Sequence, residues 1–173
     1  WTPNFSKDLK CNLLKKEPEI FLHCTAKIIP EYFINNRTIL NCHPGLLPQN
    51  RGVDSLKWAV VKKWPMGVTL HIIDKEIDRG TILSRVRIPI FDNDCLKSIC
   101  KRMYEFEINL LSNFDCYLAQ RVNNWHVDES YPCSHERISK NEDNKIEQIF
   151  ISNRSELIKV SNNKKIHYHE SEI

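Results

Sequence analysis

Glycine is scarce in this chain, and the few glycines are clustered. Of 173 residues, four are glycine, and all four stand between positions 45 and 80. Glycine is the residue that most readily forms tight turns and allows another group to approach the backbone closely. Residues 41–80 are therefore the first place to look for a functional site.

Other absences exclude whole classes of protein. No apolar run approaches the roughly 20 residues that cross a bilayer, and the first residues lack the basic and apolar regions of a signal peptide. The seven cysteines are odd in number and form no Cys-x-x-Cys pair, which favours reduced thiols over disulfides. We expect a cytoplasmic protein with no membrane partner.

The charge of the chain is small and dispersed. The formal net charge is +3, and no basic run gathers it into a patch, so nucleic-acid binding has little support. With 41% hydrophobic residues, the chain is long enough to bury one substantial core. We expect one folded domain without a nucleic-acid partner.

The hydrophobic pattern predicts alternating strands and helices. Short apolar runs predict strands over residues 19–24 and 38–42, and β-branched alternation predicts strands over residues 67–74 and 81–90. Helices are expected over residues 4–17, 31–35, 53–63 and 94–120, the last with Asp94 as its cap. This alternation is typical of an α/β sheet covered by helices.

The composition changes after residue 120. Residues 121–173 are rich in Asn, Ser, Lys and Glu, and they hold three apolar islands at 146–151, 157–160 and 166–168. We interpret the islands as small strands or as parts of a loosely ordered tail. The predicted organisation is thus a catalytic core over residues 1–120 and a carboxyl-terminal extension over residues 121–173.

Three polar residues of the glycine-bearing block are placed to share a cleft. Asn41 and His43 lie two residues apart at the end of a predicted strand, so their side chains leave the same face. Asp78 lies in the loop between the next two strands, and α/β sheets bind ligands at strand ends. Taken singly, Asn41 and His43 could merely cap a strand while Asp78 forms a turn with Gly80. Their combination favours a site.

The motifs of this block resemble one family, the folate-dependent formyltransferases. The resemblance runs from about residue 19 to residue 90 and rests on five motifs in the family's order. They are Asn41-Cys42-His43-Pro44, Leu46-Leu47-Pro48, Arg51-Gly52, Gly67-Val68-Thr69 and Ile77-Asp78-Arg79-Gly80. The resemblance implies a Rossmann-like sheet of the formyltransferase type.

The resemblance also implies the donor and the residues that use it. Asn41, His43 and Asp78 correspond to the catalytic trio, and the formyl donor is 10-formyltetrahydrofolate, with no metal required. The loop expected to bind the folate comprises Asp74, Lys75, Glu76, Ile77, Asp78 and Gly80. A role for His71 stays open, because packing within the strand explains it equally well.

The acceptor is suggested by Gly45 and the residues that follow it. Gly45 replaces a serine common in the purine-pathway and initiator-tRNA enzymes, and residues 45–52 resemble the sugar N-formyltransferases. The expected acceptor is therefore the amino group of a nucleotide-linked deoxyamino sugar, typically dTDP-linked. Glycinamide ribonucleotide is a weaker alternative. Methionyl-tRNA is disfavoured because residues 121–173 hold 8 Lys/Arg against 9 Asp/Glu.

Family members normally begin with two strand-helix units ahead of the helix expected here from Asn4. The resemblance therefore predicts a catalytic core that is incomplete at its amino end, with an exposed sheet edge. A homodimer that covers this edge is compatible with the pattern. So is an inactive remnant that binds folate without turnover.

Two further groups of residues have structural explanations. The spacing of His and Cys after residue 125 matches no standard zinc pattern, so we interpret these side chains as solvated tail residues. They are His126, Cys133, His135, His167 and His169. Trp58 and Trp64 flank a predicted helix, and we expect them to pack against the protein rather than stack on nucleic-acid bases.

Overall fold

The computed structural model describes residues 20–25, 27–119, 125–126 and 133–163. Two sequence predictions lie outside the described residues: the helix over residues 4–17 and the apolar island at 166–168. The same holds for His167 and His169 and for the side chain of His126.

Five strands form one mixed sheet in the order β1-β2-β3-β4-β5. They are β1 (Ile20–His23), β2 (Thr38–His43), β3 (Gly67–Ile72), β4 (Thr81–Arg87) and β5 (Trp125–His126). β1 is parallel to β2, and each later neighbour in this order is antiparallel. The four strands predicted before residue 90 are confirmed. A homodimer through the β1 edge stays a prediction.

Six helices accompany the sheet in the described residues. They are α1 (Glu31–Ile34), α2 (Ser55–Lys62), α3 (Leu96–Ser112), α4 (Phe114–Ala119), α5 (Lys140–Asp143) and α6 (Ile146–Ser161). The predicted α/β fold class is thereby confirmed. Within the described ranges, no helix is long and apolar enough to cross a membrane.

The long helix differs from its prediction at both ends. It is interrupted at Asn113, which separates α3 from α4, and its N-cap is Cys95 rather than Asp94. Asp94 instead accepts two hydrogen bonds of 2.9 Å from Arg102. Bonding from Arg102 and Ser98 holds the pKa of the Asp94 carboxyl well below its ordinary value. Its carboxylate therefore secures the turn before α3 as an ion pair.

Alternation along β2 separates the core from the polar face of the strand. Leu40 and Cys42 belong to the main hydrophobic cluster, with Leu70 of β3 and Ile99 of α3. Because strand side chains alternate, Asn41 and His43 leave β2 on the opposite face. Burial raises the pKa of the Cys42 thiol, so this side chain behaves as an uncharged core residue.

The prediction of small strands or a loose tail is wrong for residues 146–161, which form α6, a 16-residue helix. Read separately, the islands at 146–151 and 157–160 look like short strands. Joined across the polar residues between them, they share the spacing of one helix face. Phe150 and Leu157 on that face are fully buried in the same cluster as Leu40. The boundary of the catalytic core at residue 120 stays a prediction.

Hydrogen bonds fasten the end of α6 to the segments that flank β3 and β4. The Asn162 side chain donates to the Ile90 carbonyl at 2.9 Å and accepts from the Ile90 N–H at 3.1 Å. The hydroxyl of Ser161 accepts from the Met66 N–H at 3.2 Å. These contacts fix α6 against the sheet that carries the polar residues of the glycine-bearing block.

We predict that Phe150→Ala lowers the free energy of unfolding by about 3–5 kcal/mol, the cost of emptying a well-packed aromatic site. Ile151→Ala is the matched control, because its side chain is 61% exposed and its loss costs within about 0.5 kcal/mol. Urea denaturation of both variants provides the measurement. Equal losses would show that α6 does not contribute to the core.

Candidate active site

The register of β2 against β3 builds the floor of the site. Asn41 lies opposite His71, and His43 lies opposite Thr69. Directly opposed side chains on one face of an antiparallel pair lie within contact distance. The Asn41 Nδ2 atom is accordingly 3.1 Å from Nε2 of His71.

The chain leaving β2 is held across the neighbouring strands. The Thr69 hydroxyl donates to the Gly45 carbonyl at 2.6 Å and accepts from the Leu47 N–H at 3.1 Å. Arg85 of β4 donates to the Leu47 carbonyl at 3.0 Å. Both Thr69 and Arg85 are buried, so these bonds are shielded from competing water and fix the course of the exit loop.

His43 is buried with oxygen atoms beside both ring nitrogens. Nε2 is 2.7 Å from the Asn50 carbonyl oxygen and 3.1 Å from the Ser55 hydroxyl, while Nδ1 is 3.4 Å from Oδ2 of Asp78. The Ser55 hydroxyl donates to the Gly52 carbonyl, which leaves its lone pairs for the imidazole. The ring can therefore donate an N–H on each side.

Gly45 leaves the space that this imidazole needs. A Cβ atom at position 45 would stand 2.8 Å from Nε2 of His43 and 2.7 Å from the Asn50 oxygen. Both separations are below ordinary van der Waals contact, so a side chain here would displace the His43–Asn50 hydrogen bond. The absence of serine at this position has a direct steric consequence in the site.

Asp78 is presented to the site by a strained turn. Its φ is +49°, a left-handed conformation that aspartate tolerates better than most residues. The Gly52 N–H donates to its Oδ2 at 2.9 Å. Arg51 donates from Nε and one terminal nitrogen to the Ile77 carbonyl at 3.1 and 2.7 Å. Residues 51 and 52 thereby hold the turn with its carboxylate toward His43.

His71 is an uncharged member of the same group at neutral pH. Burial, followed by the nearby His43, lowers its pKa to about 4, against the opposing attraction of Asp78. Its Nε2 atom is 3.7 Å from Oδ1 of Asp78 and must accept the N–H of Asn41, because the amide nitrogen can only donate. The second N–H of the Asn41 amide remains for another acceptor.

The structure thus brings Asn41, His43 and Asp78 together, as the sequence predicted. It adds His71, whose role the sequence left open, and two residues that sequence reasoning missed. Asn50 and Ser55 carry no motif of their own, and only their approach to His43 reveals them. The Arg51-Gly52 motif was recognised, but its bonds to the turn at Asp78 were not predicted.

The predicted folate loop is anchored at its ends and exposed at its tip. The Asp74 carboxylate accepts from the Glu76 N–H at 2.9 Å, and Arg79 pairs with Glu76. Ile77, beside Asp78, is 47% exposed, which places an apolar surface next to a carboxylate. The assignment of this loop to folate stays a prediction.

The contacts of His135 correct one expectation about the His and Cys residues, while the absence of a zinc site stays a prediction. Within residues 20–25, 27–119 and 133–163, no cluster of His, Cys, Asp or Glu could hold a metal ion. His135, interpreted as a solvated tail residue, is instead partly buried, with Trp58 and Trp64 packed against its ring. That interpretation is wrong because the segment at 133–138 folds back onto α2. The expectation that the two tryptophans pack against the protein is confirmed.

Comparison with known proteins places the fold and these motifs in one family. Residues 2–114 match the formyl transferase family. The formyltransferase PseJ from Anoxybacillus kamchatkensis has the same fold, with a TM-score of 0.60 and 21% identity over 83% of this chain and 77% of that chain. Its crystal structure is a complex with UDP-4,6-dideoxy-4-formamido-L-AltNAc and tetrahydrofolate.

Two relatives show how the similarity is distributed. The dTDP-4-amino-4,6-dideoxyglucose formyltransferase of Mycobacterium bovis is 29% identical over 115 residues, 61% of this chain and 49% of the relative. The trifunctional purine biosynthetic protein adenosine-3 of Chironomus tentans is 33% identical over 109 residues, 60% of this chain and 8% of the relative. The chain thus spans about half of the first relative and a small part of the second.

We predict a pH-dependent stability difference between the wild-type chain and His71→Gln. The folded-state pKa of His71, about 4, lies below the ordinary histidine value of roughly 6.5. As the pH falls between these values, the unfolded state takes up the proton first. Folding then requires the buried ring to lose that proton, so the free energy of unfolding decreases. We expect the wild type to lose up to about 3 kcal/mol more than the variant between pH 7 and pH 4.

Urea denaturation of both proteins across this range measures the difference. Burial raises the pKa of Glu107 to about 7, a shift that acts in the opposite direction over a similar range. Because both proteins carry Glu107, its contribution cancels in the comparison. Parallel stability curves for the two proteins would contradict the assignment of a neutral, buried His71.

Proposed function

The chain belongs to the formyl transferase family, and from this premise we propose a specific reaction for it. The chain transfers a formyl group from 10-formyltetrahydrofolate to the amino group of a nucleotide-linked deoxyamino sugar. A dTDP-linked sugar is the preferred acceptor. Formylation takes place above the polar face of β2, at Asn41 and His43.

One observation carries the proposal: four polar side chains from three segments form a continuous group. Asn41 donates to His71, His71 lies 3.7 Å from Asp78, and Asp78 lies 3.4 Å from His43. Packing alone would not require two imidazoles, an amide and a carboxylate to lie together at one end of the sheet. Acyl transfer to an amine does require donors for a developing oxyanion and an acceptor for a proton.

Bound 10-formyltetrahydrofolate would supply the formyl carbon. This carbon would form a bond to the amine nitrogen of the acceptor and lose its bond to the tetrahydrofolate nitrogen, so that tetrahydrofolate leaves. Asn41 offers its second amide N–H to the formyl oxygen, in an orientation set by His71. His43 offers an N–H to the same oxygen, with the Asp78 carboxylate 3.4 Å from its other ring nitrogen. In the structure Nε2 of His43 bonds to Asn50, so this donation requires the ring to turn from Asn50 toward the substrate.

Asp78 also supports proton movement. Its Oδ2 faces Nδ1 of His43 and accepts from the Gly52 N–H, while its side chain is 14% exposed. A carboxylate with partial access to water can accept the proton released by the attacking amine through one water molecule. The same proton would pass through water to the departing tetrahydrofolate nitrogen, so Asp78 both contacts His43 and relays a proton.

The acceptor class is supported by Gly45 and by a relative. Gly45 stands where other branches of the family commonly have serine, and residues 45–52 resemble the sugar N-formyltransferases. The mycobacterial relative formylates dTDP-4-amino-4,6-dideoxyglucose according to its name. Glycinamide ribonucleotide stays the competing acceptor, and methionyl-tRNA stays a weaker alternative.

We expect formylation of dTDP-4-amino-4,6-dideoxyglucose with release of tetrahydrofolate. The assay follows the mass of the formamido sugar and the absorbance of tetrahydrofolate, on this chain and on any longer natural protein that contains it. Glycinamide ribonucleotide at the same concentration is the comparison substrate. Preferential formylation of the ribonucleotide would replace the proposed acceptor, and folate binding without formylation of either amine would indicate a non-catalytic protein.

We predict that Asn41→Ala and His43→Ala each lower turnover at least about 100-fold, the typical cost of losing an oxyanion donor. Asn113→Ala is a matched control, since this asparagine lies between α3 and α4 with an exposed side chain, and it should keep wild-type turnover. Circular dichroism shows whether each variant is folded. Wild-type turnover in either folded site variant would contradict its assigned role.

A further inference from the structure

We propose that residues 133–138, termed the strap, position the loop of residues 51–54 and, through it, His43 and Asp78. The strap lies beyond residues 2–114, the part of the chain that matches the family. Its catalytic consequence depends on the function proposed above. Its structural basis is a set of contacts between two segments about 80 residues apart in sequence.

Backbone pairing joins the strap to the loop. The His135 N–H donates to the Arg51 carbonyl at 2.8 Å, and the His135 carbonyl accepts from the Val53 N–H at 3.2 Å. These two bonds form a parallel bridge between Gly52 and His135. They hold the backbone on both sides of Gly52, so this residue cannot shift without breaking one of them.

Side chains reinforce this pairing on either side of the bridge. Trp58 of α2 donates from Nε1 to the Glu136 carbonyl at 2.8 Å. The Ile138 N–H donates to Oδ2 of Asp54 at 3.1 Å. Three residues of the strap therefore form hydrogen bonds with the loop and α2: His135, Glu136 and Ile138.

The His135 ring fills the space between two indoles. Its centroid is 4.9 Å from that of Trp58, nearly parallel at 28°, and 5.3 Å from that of Trp64. Aromatic contacts at such distances are stabilising beyond their buried area. These contacts hold the His135 ring against α2 and the residues that follow it.

Gly52 is shaped for this contact. Its φ is +94°, and the three atoms closest to an added Cβ all belong to the His135 backbone, with its nitrogen at 2.7 Å. A side chain at position 52 would therefore separate the loop from the strap. The glycine of the Arg51-Gly52 motif serves a contact with a segment outside the matched region.

Hydrogen bonds connect the loop of residues 51–54 to the polar side chains of the site. The Gly52 N–H donates to Asp78, and the Gly52 carbonyl accepts from Ser55, whose hydroxyl contacts His43. Arg51 bonds to the turn before Asp78. Since displacements of about 1 Å in a reacting group can cost about 100-fold in rate, loosening this loop should lower turnover. The strap is a positioning element, because it touches none of the reacting atoms.

Amide hydrogen exchange tests the strap without relying on turnover. In His135→Ala, the Gly52 and Val53 amides should exchange at least about tenfold faster than in the wild type, because two aromatic contacts are lost. The Leu70 amide of β3 reports on the core and should keep its wild-type protection. Unchanged protection at Gly52, with His135→Ala folded, would overturn the proposal.

Two further variants complete the test. Trp58→Phe tests the strap if His135→Ala does not fold, and Glu136→Ala is the control for a substitution within the strap. Trp58→Phe keeps a ring against His135 but removes the N–H that bonds to Glu136, and it should also accelerate exchange at Val53. Glu136→Ala removes only an exposed side chain and keeps the carbonyl that Trp58 contacts, so its exchange should match the wild type. Wild-type exchange in Trp58→Phe, with accelerated exchange in Glu136→Ala, would overturn the proposal.

Turnover is measured in parallel, so that the two proposals can fail separately. Where the wild type is active, His135→Ala should lower kcat at least about tenfold, with a smaller change in KM. Faster Gly52 exchange with unchanged kcat would overturn the catalytic consequence. An inactive wild type with faster Gly52 exchange in the variant would count against the proposed function and confirm the structural role of the strap.

Discussion

The pairing register of β2 with β3 is the constraint on which the site depends. It places Asn41 opposite His71 and His43 opposite Thr69. A slip of one residue would turn Asn41 and His43 into the hydrophobic core and expose Leu40 to the polar face. The cost of burying those polar groups unpaired, together with the loss of apolar burial, specifies the register. The chemistry of the site is thereby fixed by hydrophobic packing on the opposite face.

The site itself is assembled by buried polar contacts between distant segments. Asp78 adopts a left-handed conformation that costs roughly 1–2 kcal/mol, and this strain is offset by bonds from Arg51 and Gly52. Arg51 is nearly fully buried, so its bonds form in a medium where they are strong. The strained turn persists because its surroundings are rigid, and the strap supplies part of that rigidity.

The sequence predicts those elements and residues whose positions can be recognised from spacing along the chain. β3 and β4 follow from β-branched alternation, and β2 follows from its apolar run. The grouping of Asn41 and His43 follows from their positions at a strand end, and that of Asp78 from the neighbouring loop. The helix α6 was missed because a polar stretch divides its apolar face into two short islands. The contacts of His135 could not be predicted at all, since they arise from tertiary approach rather than from spacing along the chain.

The Asp78 carboxylate lies between the imidazoles of His43 and His71. Burial determines which of the two rings can be charged beside it. His71 is almost fully enclosed, and the cost of desolvating a charge there keeps its ring neutral near pH 7. A neutral His71 must accept the Asn41 N–H, which fixes the orientation of the amide. The charge of Asp78 then remains for His43. If His71 were charged instead, the Asn41 amide would have to reverse and would present its oxygen where the proposed reaction needs a donor.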